Sequence, residues 1–298
     1  MDIAKEIATR AADIEQRIQT YLPKVEGYQH TIFEAMAYSV TAGGKRLRPM
    51  MMEASYEMFG GTDPKVVEPF MAAIECIHTY SLVHDDLPEM DDDAYRRGKL
   101  TTHKQFGQAM GVLAGDALLN YAFEIVAKAL VTQAGEAKAA KAFEVLARKA
   151  GVYGMIGGQV VDVESEKKNE TVERERLDFI YRLKTGALLE ASLMIGAILA
   201  GADEAQVKKM EEAGAKLGLA FQIQDDILDV TSTVEVLGKP IGSDEKNQKA
   251  TYVSFEGMDK AKQDVALFSE EAVAILEECS GEHAFLRELF LYLIHREK

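Results

Sequence analysis

Apolar residues recur every three or four positions along nearly the whole chain, the spacing of one face of an α-helix. Glycine and proline interrupt this pattern and set the predicted helix ends. The predicted helices are 2–21, 28–41, 46–59, 64–86, 105–132, 136–164, 172–200, 204–230 and 258–295, the last one breaking near Ser280 and Gly281. Only short runs such as TYVSF (251–255) have a strand-like composition. The pattern therefore predicts an all-α fold.

The interruptions are short, and no linker, low-complexity tract or repeat of 20 to 50 residues divides the chain. The chain has 298 residues, 47% of them hydrophobic, which is ample for a buried core. We therefore predict that 1–298 is one domain, built as a single large helical bundle.

Charge and cysteine content narrow the class of protein. The formal net charge is −15, so the phosphate backbone of a nucleic acid would be repelled over most of the surface. Cys76 and Cys279 have no metal-ligand spacing and do not suggest a disulfide framework. Charges interrupt every apolar run near the N-terminus, unlike in a signal peptide. These features predict a cytoplasmic protein that does not bind nucleic acid.

The most apolar stretch, TGALLEASLMIGAILAGA (185–202), is about long enough to be considered as a membrane span. Glu190 lies inside it, however, and no basic flank follows. A buried helix is therefore favoured over stable membrane insertion.

The segment HDDLPEMDDDAYRRGK (84–99) places five aspartates and one glutamate within nine residues. Like charges this close repel and raise one another's pKa, so a cation is expected among them. Pro88 should end the preceding helix near Asp86, where the negative end of the helix dipole adds to the repulsion. A solvent-exposed acidic loop is the alternative for this segment taken alone.

A second acidic segment, FQIQDDILDV (221–230), places Asp225 and Asp229 on one face of a predicted helix. Paired carboxylates suit a hard cation such as Mg²⁺. A solvated acidic face is the alternative, but the apolar neighbours require part of this helix to be buried. Because Mg²⁺ usually keeps coordination sites for phosphate oxygens, two such clusters together suggest a bound diphosphate.

Basic residues accompany both acidic segments and support an anionic ligand. The segment AGGKRLRP (42–49) gathers Lys45, Arg46 and Arg48 behind two glycines, which predicts a second anion site without carboxylates. The other basic residues near the acidic segments are Arg96, Arg97, Lys184, Lys239 and Lys249.

Seven segments in this order resemble the trans-polyprenyl diphosphate synthase family, most closely its bacterial farnesyl diphosphate synthases. They are GGKRLRP, IECIHTYSLVHDDLPEMDDDAYRRGKLTTH, LAGDALL, GMIGGQVVDVESE, LKTGALLEAS, FQIQDDILDV and LGKPIGSDEKNQKATYV, which together span about 43–253. The resemblance implies an all-α bundle around a deep central cavity, and a homodimer. It also implies a Mg²⁺-dependent prenyltransferase with three Mg²⁺ ions per active site.

The resemblance assigns roles residue by residue. It implies that Asp85, Asp91 and Asp225 hold the Mg²⁺ ions, supported by Asp86, Asp92, Asp226 and Asp229. It implies that Arg96, Lys184 and Lys239, with Lys249 as a weaker candidate, contact the allylic diphosphate. For isopentenyl diphosphate it points to Lys45, Arg48, His78 and Arg97. Thr185 and Gln222 would direct oxygen dipoles at the allylic cation.

The implied reaction joins isopentenyl diphosphate to dimethylallyl or geranyl diphosphate and gives (2E,6E)-farnesyl diphosphate. Tyr80 and Ser81 resemble the family's farnesyl pattern, in which an aromatic residue closes the cavity floor. A geranylgeranyl diphosphate synthase and a class I terpene cyclase are the alternatives. A two-metal phosphohydrolase and a non-catalytic regulatory subunit fit the residues less well.

Overall fold

The computed structural model describes residues 2–132, 137–167, 173–231 and 251–294, and it confirms the all-α fold. The helices are α1 (Ile3–Gln19), α2 (His30–Val40), α3 (Leu47–Met58), α4 (Pro64–Asp85), α5 (Thr102–Phe106), α6 (Gln108–Thr132), α7 (Ala137–Ala150), α8 (Met155–Lys167), α9 (Arg174–Ile180), a π-helix (Tyr181–Gly186), α10 (Ala187–Ala200), α11 (Glu204–Thr231), α12 (Tyr252–Glu256), α13 (Met258–Glu277) and α14 (Ala284–Ile294). Within those ranges β structure is confined to a hairpin, β1 (Tyr95–Arg96) paired antiparallel with β2 (Lys99–Leu100).

Three predicted helices are interrupted in the structure. The helix predicted for 105–132 is instead α5 and α6, because Gly107 has φ 91° and ends α5. The helix predicted for 136–164 is broken by a turn over 151–154. The helix predicted for 172–200 contains the π-helical segment. The predicted break near Ser280 and Gly281 is confirmed, since α13 ends before it and α14 begins after it.

The strand-like run at 251–255 is helical in the structure. The Thr251 side chain accepts a hydrogen bond from the Ser254 backbone N–H, and the Ser254 hydroxyl accepts one from the Thr251 backbone N–H. This reciprocal capping box satisfies amides that would otherwise be unpaired at the start of α12.

The chain forms two compact units. Unit 1 contains Met1–Glu53 and Thr62–Phe143, and unit 2 contains Ala54–Gly61 and Glu144–Lys298. The single domain expected from the sequence remains a prediction.

Helix α4 is the core of unit 1. Asp63 caps its N-terminus by accepting a hydrogen bond from Lys65 N–H at 3.0 Å, and Pro64 follows in the first turn, where its missing N–H costs nothing. Phe70, Met71 and Ile74 are almost fully buried, and helix α6 packs along α4. Because α4 is apolar on most of its surface, it must be surrounded by other elements.

Helix α10 is the core of unit 2, and α11 packs closely against it. A Cβ at Gly218 of α11 would lie only 2.8 Å from the Cα of Gly186, the last π-helical residue before α10, so two glycines permit this close approach. Glu190 is buried within α10 but is paired with Lys149. Pairing satisfies a charge that would be costly to bury alone.

Three stretches are long and apolar enough to cross a membrane by length and composition: α4, α6 and 174–200. The apolar windows of α4 and of 174–200 are 72% and 78% buried inside the protein. The most apolar stretch of the sequence is therefore a buried core helix, as predicted. The window of α6 is 39% buried.

Candidate active site

The first acidic segment begins where α4 ends. Asp85 is the last residue of α4 and Asp86 is its C-cap, which confirms the end predicted from Pro88. The chain then folds back, so that the backbone N–H of Asp91 donates to the carbonyl of Asp85 at 2.9 Å. This bond holds the two predicted metal ligands of the segment close to each other along the backbone.

Asp86 and Arg96 form a two-pronged ion pair. The Arg96 Nε lies 2.8 Å from Asp86 Oδ1, and its Nη2 lies 2.6 Å from the same oxygen. Burial raises the pKa of Asp86, while the hydrogen bond from Arg96 opposes that rise. The carboxylate of Asp86 therefore anchors Arg96, which fits a supporting role rather than direct metal binding.

The hairpin β1–β2 carries both arginines of the first segment. Thr101 fixes its base, because its backbone N–H donates to Ala94 O at 3.0 Å and its hydroxyl donates to Asp93 O at 2.7 Å. Arg97 lies at the turn with φ 52°, and its guanidinium donates to the carbonyl of Gly43. The hairpin thus brings Arg97 to the diglycine turn at 43–44. Asp92 is paired with Lys104 at 3.2 Å.

Arg46 does not join the anion site that was expected from AGGKRLRP. Its side chain is buried and points inward, where it pairs with Glu15 and Glu75 and donates to the carbonyl of Val40. Arg46 also has φ 49°, a left-handed conformation that turns its side chain away from that of the exposed Lys45. The charge of Arg46 is therefore neutralised within the protein.

Arg48 and His78 lie in a strongly positive environment. Burial, with a smaller effect of the charge of Arg97, lowers the pKa of Arg48 to about 10 against the opposing effect of Glu75. Burial also lowers the pKa of His78 well below its usual range, together with the charges of Arg48, Arg97, Arg46 and Arg96. The Arg48 Nε is buried without a hydrogen-bond partner in the described part of the chain. A bound anion would offset the positive charge around Arg48 and His78, and it would accept a hydrogen bond from the Arg48 Nε.

The two residues implied in product length follow His78 on α4. The ring of Tyr80 is buried and meets the ring of His84 edge-on, with centroids 5.8 Å apart. The hydroxyl of Ser81 donates to the carbonyl of His78 at 2.9 Å, a bond within the helix. The ring of Tyr80 thus fills space, whereas the Ser81 hydroxyl is already hydrogen-bonded to the backbone of α4.

In unit 2 the π-helix carries Lys184 and Thr185. The Lys184 Nζ lies 2.6 Å from Asp162 Oδ2, and the Thr185 hydroxyl donates to Gln222 Oε1 at 2.8 Å. A π-helical turn inside an α-helix is frequent at functional sites, because it changes the direction of side chains locally. The structure thus brings Thr185 and Gln222, which were predicted to act together, into direct contact.

The second acidic segment lies near the end of α11. Asp226 is buried and accepts hydrogen bonds from the Tyr181 hydroxyl at 2.5 Å and from the Tyr252 backbone N–H at 2.7 Å. Asp229 is also buried, while Asp225 is half-buried. Asp226 therefore fastens the start of α12 to α11, a supporting position like that of Asp86.

The donor set suits Mg²⁺. All the implied ligands are carboxylates, and Asp85 and Asp91 are already held together. Across the described ranges no group of three or more Asp, Glu, His or Cys side chains is gathered as a metal site. Mg²⁺ usually keeps several coordination sites for water or substrate oxygens, so one or two carboxylates can hold it. Lys239 and Lys249 lie outside the described residues.

The sequence reasoning missed three residues that organise the site. Asp162 pairs with Lys184, Tyr181 bonds to Asp226, and Glu75 pairs with Arg46. Asp162 belongs to GMIGGQVVDVESE, one of the segments that carry the family resemblance, so that segment was the available signal. Glu75 likewise belongs to IECIHTYSLVHDDLPEMDDDAYRRGKLTTH, whereas nothing in the local sequence distinguishes Tyr181, because its partner is distant along the chain.

The chain belongs to the polyprenyl synthetase family, whose model matches residues 29–285. It is 44% identical to the farnesyl diphosphate synthase of Geobacillus stearothermophilus, over 92% of this chain and 91% of that protein. It is 46% identical to the geranylgeranyl diphosphate synthase of Cyanophora paradoxa, over 87% of this chain and 85% of that protein.

Two solved structures are similar over nearly their whole length. An FPP/GFPP synthase from Zymomonas mobilis has a TM-score of 0.87 and 33% identity, covering 98% of this chain and 99% of that one. A geranyltransferase from Helicobacter pylori, in complex with magnesium and isoprenyl diphosphate, has a TM-score of 0.83 and 30% identity. That match covers 99% of this chain and 97% of the other. The chain is therefore a trans-prenyl diphosphate synthase.

Proposed function

We propose that the chain condenses isopentenyl diphosphate with dimethylallyl or geranyl diphosphate by Mg²⁺-assisted ionisation, and that its product is (2E,6E)-farnesyl diphosphate. The observation that carries this proposal is the positive environment of Arg48 and His78, which has no metal-binding carboxylate of its own. His78 and Asp85 are seven residues apart on α4, so they lie on the same side of the helix, about 10 Å apart. That distance leaves room for two different diphosphate sites on one unit.

The two sites explain why one substrate ionises and the other stays intact. Bound Mg²⁺, held by Asp85, Asp91 and Asp225, would neutralise the charge that grows on the leaving diphosphate. Arg96 and Lys184 would bind the same diphosphate through their positive charges. Groups aimed at the leaving group stabilise the transition state more than the ground state, and so raise the rate.

The second diphosphate site would hold isopentenyl diphosphate through Lys45, Arg48, His78 and Arg97. Because the pKa of His78 is held low, its imidazole is neutral near pH 7 and can donate one hydrogen bond. The low pKa of Arg48 would return towards normal once an anion binds. Without metal beside it, this diphosphate is not activated to leave, and the molecule acts as the nucleophile. Thr185 and Gln222 would stabilise the allylic cation by their oxygen dipoles.

Tyr80 supports the farnesyl product. Sequence identity to relatives does not distinguish a farnesyl from a geranylgeranyl diphosphate synthase. The Geobacillus farnesyl and Cyanophora geranylgeranyl synthases are 44% and 46% identical to this chain. Tyr80 is five residues before Asp85 on α4, about 7.5 Å along the helix axis. A buried aromatic ring at that depth would stop the growing chain at fifteen carbons.

A homodimer and a cytoplasmic location are part of the proposal. Helix α6 supports the dimer, because only 39% of its apolar window is buried in one chain. A second copy of this chain would cover that surface. Analytical ultracentrifugation of the purified protein tests this point, and a species of 32.9 kDa at micromolar concentration would contradict it.

One incubation tests the reaction. The protein is mixed with dimethylallyl diphosphate, isopentenyl diphosphate and Mg²⁺, and the extracted lipids are analysed by mass spectrometry. We expect farnesyl diphosphate. Cyclic hydrocarbon would instead indicate a terpene cyclase, free phosphate without chain growth a phosphohydrolase, and a twenty-carbon product a geranylgeranyl diphosphate synthase.

The same assay tests the role of Tyr80. Tyr80→Ala removes the ring and should shift the main product to twenty carbons or longer, whereas Tyr80→Phe keeps the bulk and should retain the fifteen-carbon product. Unchanged chain lengths in Tyr80→Ala would rule out this residue as the floor of the cavity.

A further inference from the structure

Tyr80 is held by its ring rather than by its hydroxyl. Only 6% of the residue is exposed, and its hydroxyl has no hydrogen-bond partner in the described ranges. Burial raises the pKa of Tyr80 to about 12, with Asp85 adding to the rise. A buried hydroxyl without a partner is unfavourable, so no polar contact fixes this side chain. Its position therefore depends on what packs against the ring.

The ring of His84 packs against Tyr80. The two rings lie on successive turns of α4, with centroids 5.8 Å apart and planes at 81°, a favourable edge-to-face arrangement. His84 Nε2 lies 3.0 Å from the carbonyl oxygen of Val112 on α6, and 3.8 Å from Asp116 Oδ1. His84 thus fills the space between Tyr80 and helix α6.

Gly115 on α6 makes room for His84. A Cβ on residue 115 would lie 2.0 Å from His84 Nε2 and 2.2 Å from its Cδ2, far inside van der Waals contact. No residue larger than glycine is compatible with the observed ring position. Gly115, His84 and Tyr80 therefore form a continuous stack from α6 to the proposed cavity floor.

We propose that His84 and Gly115 are positioning residues for product length. Gly115 allows the imidazole to lie flat against α6, and the imidazole supports the edge of Tyr80 so that its ring cannot tilt away from the growing chain. Neither residue touches the substrate. This inference rests on the proposed function, in which Tyr80 closes the cavity.

Three substitutions at His84 separate ring packing from hydrogen bonding. His84→Ala removes the ring, His84→Gln keeps a donor for Val112 O, and His84→Phe keeps a ring beside Tyr80. We expect His84→Ala and His84→Gln to shift the main product from fifteen to twenty carbons, and His84→Phe to retain fifteen. A change in folding stability alone would lower the yield of every product together and leave their ratio unchanged.

Two substitutions on α6 form a matched pair. Gly115→Ala displaces His84 and should lengthen the product. Gly111→Ala, one turn earlier, meets the Cβ of His103 at 2.9 Å and Leu87 instead of His84. Gly111→Ala should therefore also crowd the packing of α6, but it should keep the fifteen-carbon product. In the double variant His84→Ala/Gly115→Ala, the added methyl group occupies part of the vacated space and should restore some of that product.

The outcomes distinguish this inference from the proposed function. If Tyr80→Ala lengthens the product while His84→Ala and His84→Gln do not, the support by His84 is wrong and the proposed function stands. If Gly111→Ala changes chain length as much as Gly115→Ala, the specific role of Gly115 is wrong. If Tyr80→Ala has no effect, or the native protein does not elongate prenyl diphosphates, this inference fails as well.

Discussion

The two acidic segments use their paired aspartates in the same way but anchor them by different means. In each pair the second aspartate is buried and bonded inside the protein, and the first is half-buried. Asp86 is bound by the charged guanidinium of Arg96, whereas Asp226 is bound by two neutral donors from Tyr181 and Tyr252. In each Asp–Asp pair the second residue is thus an anchor, and the first is left as the proposed ligand.

The difference in donors has consequences for energetics. A charged partner strongly stabilises a buried carboxylate and leaves a large penalty when it is removed. Hydrogen bonds from neutral donors contribute less to stability than a charged pair does. The amide oxygen of an asparagine can accept them in place of the carboxylate oxygen. The first anchor should therefore be sensitive to pH and substitution, and the second should be tolerant of both.

The ligand positions should matter most for activity. Asp85→Asn and Asp225→Asn remove a negative charge from the proposed cation sites, and we expect kcat/KM to fall at least about a hundredfold. Melting temperatures should stay close to that of the native protein. Glu89→Gln, in the same acidic segment but not an implied ligand, is the matched control and should retain activity. A loss in Glu89→Gln as large as in Asp85→Asn would mean that overall charge, rather than ligand position, determines the rate.

Arg96→Gln should have the largest effect on stability, because it leaves the carboxylate of Asp86 buried without a charged partner. We expect a loss of about 2 kcal/mol in the free energy of unfolding near pH 7. The loss should depend on pH. With Arg96 absent, burial and the charge of Asp93 raise the pKa of Asp86 without their main opposing interaction, so this pKa lies further above 3.8 in the folded state.

The sign of this pH dependence follows from proton binding. A raised folded-state pKa means that the folded form of Arg96→Gln binds a proton at Asp86 more tightly than the unfolded form does. The contribution of Asp86 to the stability of this variant is then greatest below about pH 4 and falls as the pH rises through the folded-state pKa. Urea denaturation between pH 4 and pH 8 measures it. The double variant Arg96→Gln/Asp86→Asn should lack this dependence, and a pH-independent deficit in Arg96→Gln alone would contradict the charged anchor.

Asp226→Asn should cost less, about 1 kcal/mol in the free energy of unfolding. The Tyr181 hydroxyl and the Tyr252 N–H both donate to the same oxygen, Oδ2, which an asparagine carbonyl can replace. Asp86→Asn is the matched comparison, because it presents an amide N–H or a neutral oxygen to a guanidinium. Equal costs in the two asparagine variants, measured by urea denaturation, would break the comparison.

Tyr181→Phe should have the smallest effect. It removes the hydroxyl donor to Asp226 and leaves the backbone bond from Tyr252 in place. We expect a loss of about 1 kcal/mol or less, without a change in the length of the prenyl product. A loss well above that of Asp226→Asn would show that Tyr181 stabilises unit 2 chiefly through packing.

Much of the fold could be predicted because its signals are local. The three- and four-residue spacing of apolar residues predicted most helix bodies, and Pro88 correctly placed the end of α4. Predictions failed at backbone details. The π-helical segment at Tyr181–Gly186 keeps nearly the same apolar spacing as an α-helix, so the pattern could not reveal it. The turn over 151–154 begins and ends with a glycine, although the apolar spacing of the flanking helices predicts one continuous helix there.

In the candidate site, too, local spacing predicted some features correctly and missed contacts between distant residues. Spacing alone indicated that Asp225 and Asp229 share a helix face and that arginines follow the first aspartates. It also suggested that Arg46 belongs with Lys45 and Arg48, which is wrong. Arg46 has a left-handed backbone and pairs with Glu15 and Glu75, which lie 31 and 29 residues away. A pairing at that separation has no local signature.

The helical class, the two acidic segments and the basic residues around them could be read from the chain alone, because periodicity, charge and spacing act over one or two helical turns. Which charges are neutralised internally depends on the folded structure. It turned Arg46 inward, bonded Asp86 to Arg96 and Asp226 to Tyr181, and placed Gly115 beneath His84. These choices depend on contacts between residues far apart in the chain, where burial makes an unpaired charge or an extra methyl group costly.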